Sequence, residues 1–562
     1  MGFSFRRFLQ PAVFVIAAIF FTFLRGAAAQ TPTVSQTPTP DTTPVPKTFD
    51  VPLRPLPSMD RVGVQTDDQL ALTLDQAIEM ALKNSNDIEA FRKGVAISDF
   101  SYRAARGIYD PLFSSENYYE SVTTPTASSI GGAVNGSVTQ KRLFGSAGVS
   151  GFSPFAGGTY SSLFNTSRAQ TSNTNSFLNP QYPSSLEFTY TQPLWRNRSI
   201  DNNRRTIEIA KKNIEISDAQ LQLRAITVIS TVEQAYWDLA FAMRNLQVQM
   251  DTLRQAREQL ESNKRLVGQG VLAPIEIVAA TAQISTFEQA VYSAQEDITR
   301  AENTLKAIIL PDRTSPEWSK PLTPVTPVER DIPQIGLEVA VAEAMKNRPE
   351  ISQLETTAEI NRIDQRYYRN QTKPQIDLVS SYTTQGLAGT ETPAAIDPRT
   401  GMSRVPPSLV GGLFTSLGNL AALRFPSYRV GVNISFPFRN TTAKANLGRS
   451  LVEGEQIANS RAQTEENIEA EVRNALQTLR SADARLRAAT EGRAAAEELY
   501  ASEVRQFRAG TTTFYLVLQR QTELSTARGR EIQARTDLNK AISEFERAIG
   551  NTLTYNNVSV SR

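Results

Sequence analysis

Any chemistry in this chain must proceed without histidine or cysteine, because neither occurs among its 562 residues. Histidine is the commonest general base and a leading metal ligand, so the ordinary acid–base and imidazole–metal sites are removed. Without cysteine there is no thiolate nucleophile, thiolate metal site, disulfide or lipidated N-terminal cysteine. Ser-His-Asp catalysis falls with the histidines. Carboxylate pairs, Ser-Lys pairs and tyrosine remain, but no motif organises them. Gly151-Phe152-Ser153-Pro154-Phe155 lacks the closing glycine of a nucleophile elbow. No P-loop, dinucleotide fingerprint or calcium loop is present. Triplets such as Asn165-Thr166-Ser167 are what a Ser/Thr/Asn-rich stretch produces by composition. The expectation is a non-enzyme with no catalytic residue, metal or cofactor.

Two other spacings are harder to dismiss. Arg265 precedes Gly270 by five residues, and Arg505 precedes Gly510 by the same interval. The two sets are related by an offset of 240, which also carries Val232-Glu233-Gln234-Ala235 onto Val472-Arg473-Asn474-Ala475. An earlier offset of 263 relates Leu74–Asn84 to Leu337–Asn347 and Pro111 to Pro374. The same order of pieces therefore occurs twice, which marks an internal duplication.

Each half predicts the same elements. A helix of about thirty residues (72–105; 336–370) ends before a proline, and a strand pair follows (112–195; 374–438). A very long helix (200–266; 440–507) then breaks at Gly268-Gln269-Gly270 or Ala509-Gly510, and a second helix returns (274–309; 514–549). The repeats span 71–310 and 336–550, with a linker at 311–335 and a tail at 551–562. At 1.5 Å per residue the first long helix runs roughly 100 Å. Its apolar positions (Ile207, Ala210, Ile214, Leu221, Val228, Val232) recur at helical spacing beside Lys, Arg, Gln and Asn. Helices of that length with many small residues pack side by side as coiled coils.

Residues 1–29 carry Arg6 and Arg7, an apolar run from Ala12 to Leu24, and Ala27-Ala28-Ala29. This is a secretory signal pattern. The run is too short to span a bilayer as a helix, which needs about 20 residues. The Pro/Thr-rich stretch 30–70 reads as a flexible arm. Removing Arg6, Arg7 and Arg25 with the leader takes the net charge from +2 to −1. Such a chain has no global electrostatic case for nucleic acid.

Tyr428, Val430, Val432, Ile434 and Phe436 alternate with Arg429, Gly431, Asn433 and Ser435. That is the period and length of a tilted membrane strand. Leu186, Phe188 and Tyr190 alternate likewise, with weaker signals at Ile376–Tyr382 and Phe113–Tyr119. Four strands cannot close a barrel, and open edges are not tolerated in hydrocarbon. Several chains must then pool their strands, in a number this reasoning does not set. Residues 123–184 read either as an extra hairpin near 138–166 or as an irregular loop. Residues 387–424 are shorter and more apolar, and the sequence offers no account of them.

The duplicated Leu-x-x-Ala…Ala-x-x-Asn openings, Pro111 and Pro374, Gln192-Pro193-Leu194-Trp195 and the paired Arg-x-x-x-x-Gly breaks together resemble the TolC family of outer-membrane efflux proteins. The resemblance covers about 70–550. It implies a mainly α fold with a small β part: a duplicated long-helix α-barrel across the periplasm plus a transmembrane β-barrel shared in a homotrimer. Each protomer would give four strands to twelve. The helical turns would form a tip that docks a periplasmic adaptor (membrane fusion) protein of an inner-membrane transporter. By position the tip residues are Arg265, Gly268, Gly270, Leu272, Arg505, Gly510 and Thr512. Gly270 and Gly510 would permit φ > 0 and close backbone approach.

Family members often close the tip with aspartates; Leu516 and Gln519 stand there instead, and Glu276 is the corresponding carboxylate of the first repeat. Those three are the pore or gate candidates, with Leu516 as an apolar constriction. The expected function is a passive efflux duct seated in outer-membrane lipid. The alternatives are the exit duct of a type I protein secretion system, a periplasmic coiled-coil structural protein, and an unaided porin.

Overall fold

The computed structural model describes residues 55–560 apart from 59, 66, 67, 127, 128 and 134. The signal peptide and most of the arm lie outside the described residues.

The described chain opens with β1 (Leu70–Leu72), α1 (Leu74–Asn84) and α2 (Asn86–Arg106). Next come β2 (Leu112–Pro125), β3 (Ser137–Phe152), β4 (Thr159–Thr171), β5 (Leu178–Gln181) and β6 (Ser184–Pro193). The first long hairpin is α3 (Asn202–Gly268) and α4 (Ile275–Ile309). After β7 (Leu322–Pro324), α5 (Leu337–Asn347) and α6 (Pro349–Gln371), the second half adds β8 (Gln375–Gly386), β9 (Gly389–Glu391), α7 (Leu413–Ala421) and β10 (Phe425–Ser435). The second long hairpin, α8 (Thr441–Arg508) and α9 (Phe514–Ala548), precedes the short α10 (Thr552–Tyr555).

The single thirty-residue helix expected in each half is broken in both. In the first, Ser85 is extended: its N–H donates to Ala81 to close α1, and its hydroxyl accepts from Ile88 to open α2. In the second, Arg348 is extended before Pro349, which cannot donate to a continuing helix. The arm also departs from expectation beyond residue 54. Pro55 and Ser58 accept from Arg257 and Gln295, and Arg61 pairs with Glu302. Burial supplies the reason, because Glu302 is buried with Lys306 at 2.6 Å and gains a second cation from the arm.

Four long helices lie alongside one another, with α3 against both α4 and α9, and α9 against α8. Their main core includes Leu221, Ile229, Leu253 and Leu260 of α3 with Ile284 and Val291 of α4. Phe514 and Val517 of α9 enter the same cluster, so the two hairpins share one core. Nearer the strands, α2 and α6 take the places that α4 and α9 hold lower down. Tyr236 of α3 fixes the middle: its hydroxyl donates to Leu72 and accepts from Thr326, where β1 pairs in parallel with β7. Among the described residues, no helix is long and apolar enough to cross a membrane.

The strands form one antiparallel sheet in the order β10-β8-β6-β4-β3-β2, with β5 and β9 set off that path. This corrects the expectation of four strands per protomer: the path holds six. The β3–β4 hairpin stands between β2 and β6, so the 123–184 stretch is the hairpin and not an irregular loop. Its turn, with Ala156 and Gly157 at positive φ, rests on the junction before α3. A Cβ on Gly157 would stand 2.6 Å from the Asn197 carbonyl, so only glycine fits.

Candidate functional site

Two features converge on function: the faces and edges of the sheet, and the turns at the far ends of the long helices.

Register assigns every strand residue to a face, because directly paired residues share one. Tyr428 pairs with Tyr382, Tyr382 with Phe188, Phe188 with Ser162, Ser162 with Val149, and Val149 with Phe113. That row and its i±2 neighbours put Val430, Val432, Ile434, Leu378, Ile376, Leu186, Tyr190, Tyr160 and Phe164 on the same side. The opposite side carries Arg429, Asp377, Glu187, Arg142, Glu116 and Glu120. On the apolar side the strands' charges are Lys141 and Arg168, both toward the ends remote from the helices. One face is therefore apolar and exposed (Val432 57 %, Ile434 64 %, Phe113 66 %) and the other charged and hydroxyl-rich. A patch of that extent is not what a soluble sheet leaves in water.

The sheet ends in two bare edges. β2 pairs only with β3, and β10 only with β8. Every residue of β10 is exposed. With six antiparallel strands in sequence, β2 and β10 run in opposite directions, so β10 of one copy matches β2 of another as an antiparallel partner.

The helical turns are near copies. At the end of α3, the Gly270 N–H donates to Val267 and the Val271 N–H to Leu266; Gly270 has φ +75°. At the end of α8, the Gly510 N–H donates to Phe507 and the Thr511 N–H to Gln506; Gly510 also has φ +75°. Both are Schellman caps, which need a residue in the left-handed region after the helix. Within this chain Gly270 and Gly510 serve the left-handed φ of the cap, Gly268 is an ordinary helical residue, and a Cβ on any of the three would meet nothing within 4 Å.

Arg265, Gly268 and Gly270 are exposed and Leu272 is half-buried. Arg505 is exposed and pairs with Glu498 at 3.0 Å; the Thr512 hydroxyl donates to Glu503. Both turns lie at the same end of the molecule. Gln283 of α4 bonds Thr522 of α9 at 3.3 Å, and the rings of Phe507 and Phe514 stand 5.7 Å apart beneath the second turn. Glu276 and Leu516 occupy matching half-buried positions in the first turns of α4 and α9. Gln519 is exposed and donates to Glu523. Among the described residues no group of acidic side chains could hold a metal.

Sequence reasoning left β3 and β4 undecided and gave no account of α7. The usable signal was the Phe155-Ala156-Gly157 turn between two stretches of period two, in which small residues fill the apolar face.

The profile of the outer membrane efflux protein family matches residues 162–309 and 340–551. No curated protein matches the sequence. Among solved structures, the outer-membrane channel OprN is similar at 16 % identity and TM-score 0.58, over 87 % of this chain and 94 % of that one. CusC, described with transmembrane channel formation, is similar at 14 % and 0.58, over 85 % and 92 %. The CmeC outer membrane channel of Campylobacter jejuni is similar at 14 % and 0.57, over 90 % and 94 %.

Proposed function

Since this chain belongs to the outer membrane efflux protein family, whose members are passive channels and not enzymes, we propose that it is the exit duct of a tripartite export system. It stands in the outer membrane as a homotrimer, with its long helices in the periplasm. The observation that carries this reading is the sheet: an apolar outer face, a charged inner face and two unpaired edges of opposite direction. In hydrocarbon such edges must pair, and copies of the chain are the available partners. Three copies bring eighteen strands where four per chain would bring twelve. Barrel diameter grows roughly in proportion to strand number, so the wall is about 1.5-fold wider than a twelve-stranded one.

The Schellman turns form the periplasmic end, where Arg265, Gly268, Gly270, Leu272, Arg505, Gly510 and Thr512 dock an adaptor protein coupled to an inner-membrane transporter. Exposed backbone at Gly268, Gly270 and Gly510, with open space where a Cβ would be, suits close approach by a partner. Glu276, Leu516 and Gln519 line the constriction just inside. The cargo is a small molecule delivered by the pump, and the duct itself carries no energy source.

Reconstitution in planar bilayers tests the reading. The purified full-length protein is expected to give discrete channels whose unit by native mass is three chains. A monomer that leaves membranes in alkaline washes would overturn it.

A further inference from the structure

Between β8 and β10 the chain runs from Val405 to Leu423 without a charged residue, bracketed by Arg404 and Arg424. Within it lies α7, whose polarity is inverted. Its polar residues face the protein: Ser416 is fully buried and Asn419 is 5 % exposed. Leu420 is buried beside them at 8 %, but the other apolar residues face outward: Phe414 is 88 % exposed, Leu413 37 %, and Leu417 and Ala421 lie on the same side.

The seat of the helix is built, and it lies on the apolar face of the sheet. The Ser184 hydroxyl bonds the Ser416 hydroxyl at 2.8 Å, and the Thr384 hydroxyl donates to the Leu420 carbonyl at 3.3 Å. Gly386 completes it, since a Cβ there would stand 2.2 Å from the Ser416 carbonyl oxygen. Ser184 pairs with Gly386, and Thr384 pairs with Leu186 and Pro426. By register all of them share the side of Phe188, Tyr382 and Val430. Asn419 adds bonds to the carbonyls of Leu387 and Ser408 at 3.0 and 2.8 Å.

A short helix with a serine, an asparagine and one leucine against its neighbour and its bulkiest apolar residue outward is arranged as in lipid, not in water. We propose that α7 is an anchor seated in the outer leaflet, whose Leu413, Phe414 and Leu417 pack among lipid acyl chains. Its place at the strand ends remote from the long helices sets the leaflet. The occupant follows from continuity, because α7 lies on the face that the wall itself presents to lipid. Arg404 and Arg424 flank the apolar run at the depth where long cationic side chains reach headgroups. The proposal rests on the membrane reading above and goes beyond it, adding a lipid contact outside the strands.

The chain lacks cysteine, so single-cysteine variants take one spin label each. Phe414→Cys and Leu417→Cys are compared with Val432→Cys on the wall and Met402→Cys, which is 72 % exposed in the loop. The full-length protein is labelled in dioleoylphosphatidylcholine vesicles and probed with oxygen and a water-soluble nickel chelate. The oxygen-to-nickel accessibility ratio at 414 and 417 is expected to match that at 432 and exceed that at 402 several-fold. A nickel-dominated signal at 414 and 417, with 432 still oxygen-dominated, overturns the anchor alone. Labels at 414 and 417 shielded from both reagents mark a protein contact and overturn it too. A nickel-dominated signal at 432 as well overturns the membrane reading and the anchor with it.

Discussion

Gly268 and Gly270 lie two residues apart, and replacing each by alanine separates a docking role from a capping role. Gly268 is the last residue of α3, and a Cβ there meets nothing within 4 Å. Alanine at a helical position without a clash stabilises by about 0.5–1 kcal/mol relative to glycine. Gly270 has φ +75°, also without a clash. Alanine there is held in the left-handed region at a cost of roughly 1–2 kcal/mol. That cost opens the cap, so the Val271 amide, which donates to Leu266 at 3.0 Å, should exchange about 5–30-fold faster. Gly268→Ala should leave that amide as protected as before, or more so. Export, read as retention of a fluorescent efflux dye in a host without its own copy, should fall in both variants. An account in which these glycines only cap helices predicts normal export for Gly268→Ala. That result would refute docking at the first turn.

Three further outcomes follow from the geometry. Val432→Lys places a cation on the lipid face and should cost about 2–4 kcal/mol near the bilayer middle, seen as loss of assembled trimer on heating, while Asn433→Lys on the inner face should assemble normally. Leu516→Asp should change single-channel conductance in planar bilayers; an unchanged value would remove Leu516 from the constriction. Burial raises the Glu233 carboxyl above its ordinary value of 4.5, with Arg330 opposing, and burial likewise raises Glu546. The folded state then binds protons that the unfolded chain has released, so stability should fall as pH rises through and above the ordinary carboxylate range. Glu233→Gln should flatten that slope in denaturant titrations. Glu471 acts in the other direction. Burial opposes its charge, but Arg348 and Arg547 prevail and lower its pKa, so its contribution is lost only below the ordinary carboxylate range.

What the sequence disclosed follows from which forces leave a periodic trace. The long helices were legible because Ile207 through Val232 repeat at helical spacing, and the turns because the left-handed residue of a Schellman cap is nearly always glycine. The β10 strand was legible because Val430, Val432 and Ile434 alternate with polar neighbours. The β3–β4 hairpin carried a fainter trace: Gly145, Ala147 and Gly151 hold its apolar side, and small residues do not register as hydrophobic. The break at Ser85 depends on its cap and the break at Arg348 on the proline that follows, and neither interrupts the apolar spacing, so an amphipathic reading ran through them. The α7 helix was opaque for another reason. Its buried face is mostly polar, with Ser416 and Asn419 beside Leu420, while Leu413 and Phe414 face away from the protein, so a search for an apolar buried face misses it.

Strand number in the assembled wall tests the central claim most directly. A reconstruction of the full-length protein in lipid nanodiscs should show threefold symmetry and eighteen strands, with β10 of each copy hydrogen-bonded to β2 of the next. A twelve-stranded wall that leaves β3 and β4 outside it, or a single chain whose β2 and β10 edges remain bare in lipid, would contradict the account.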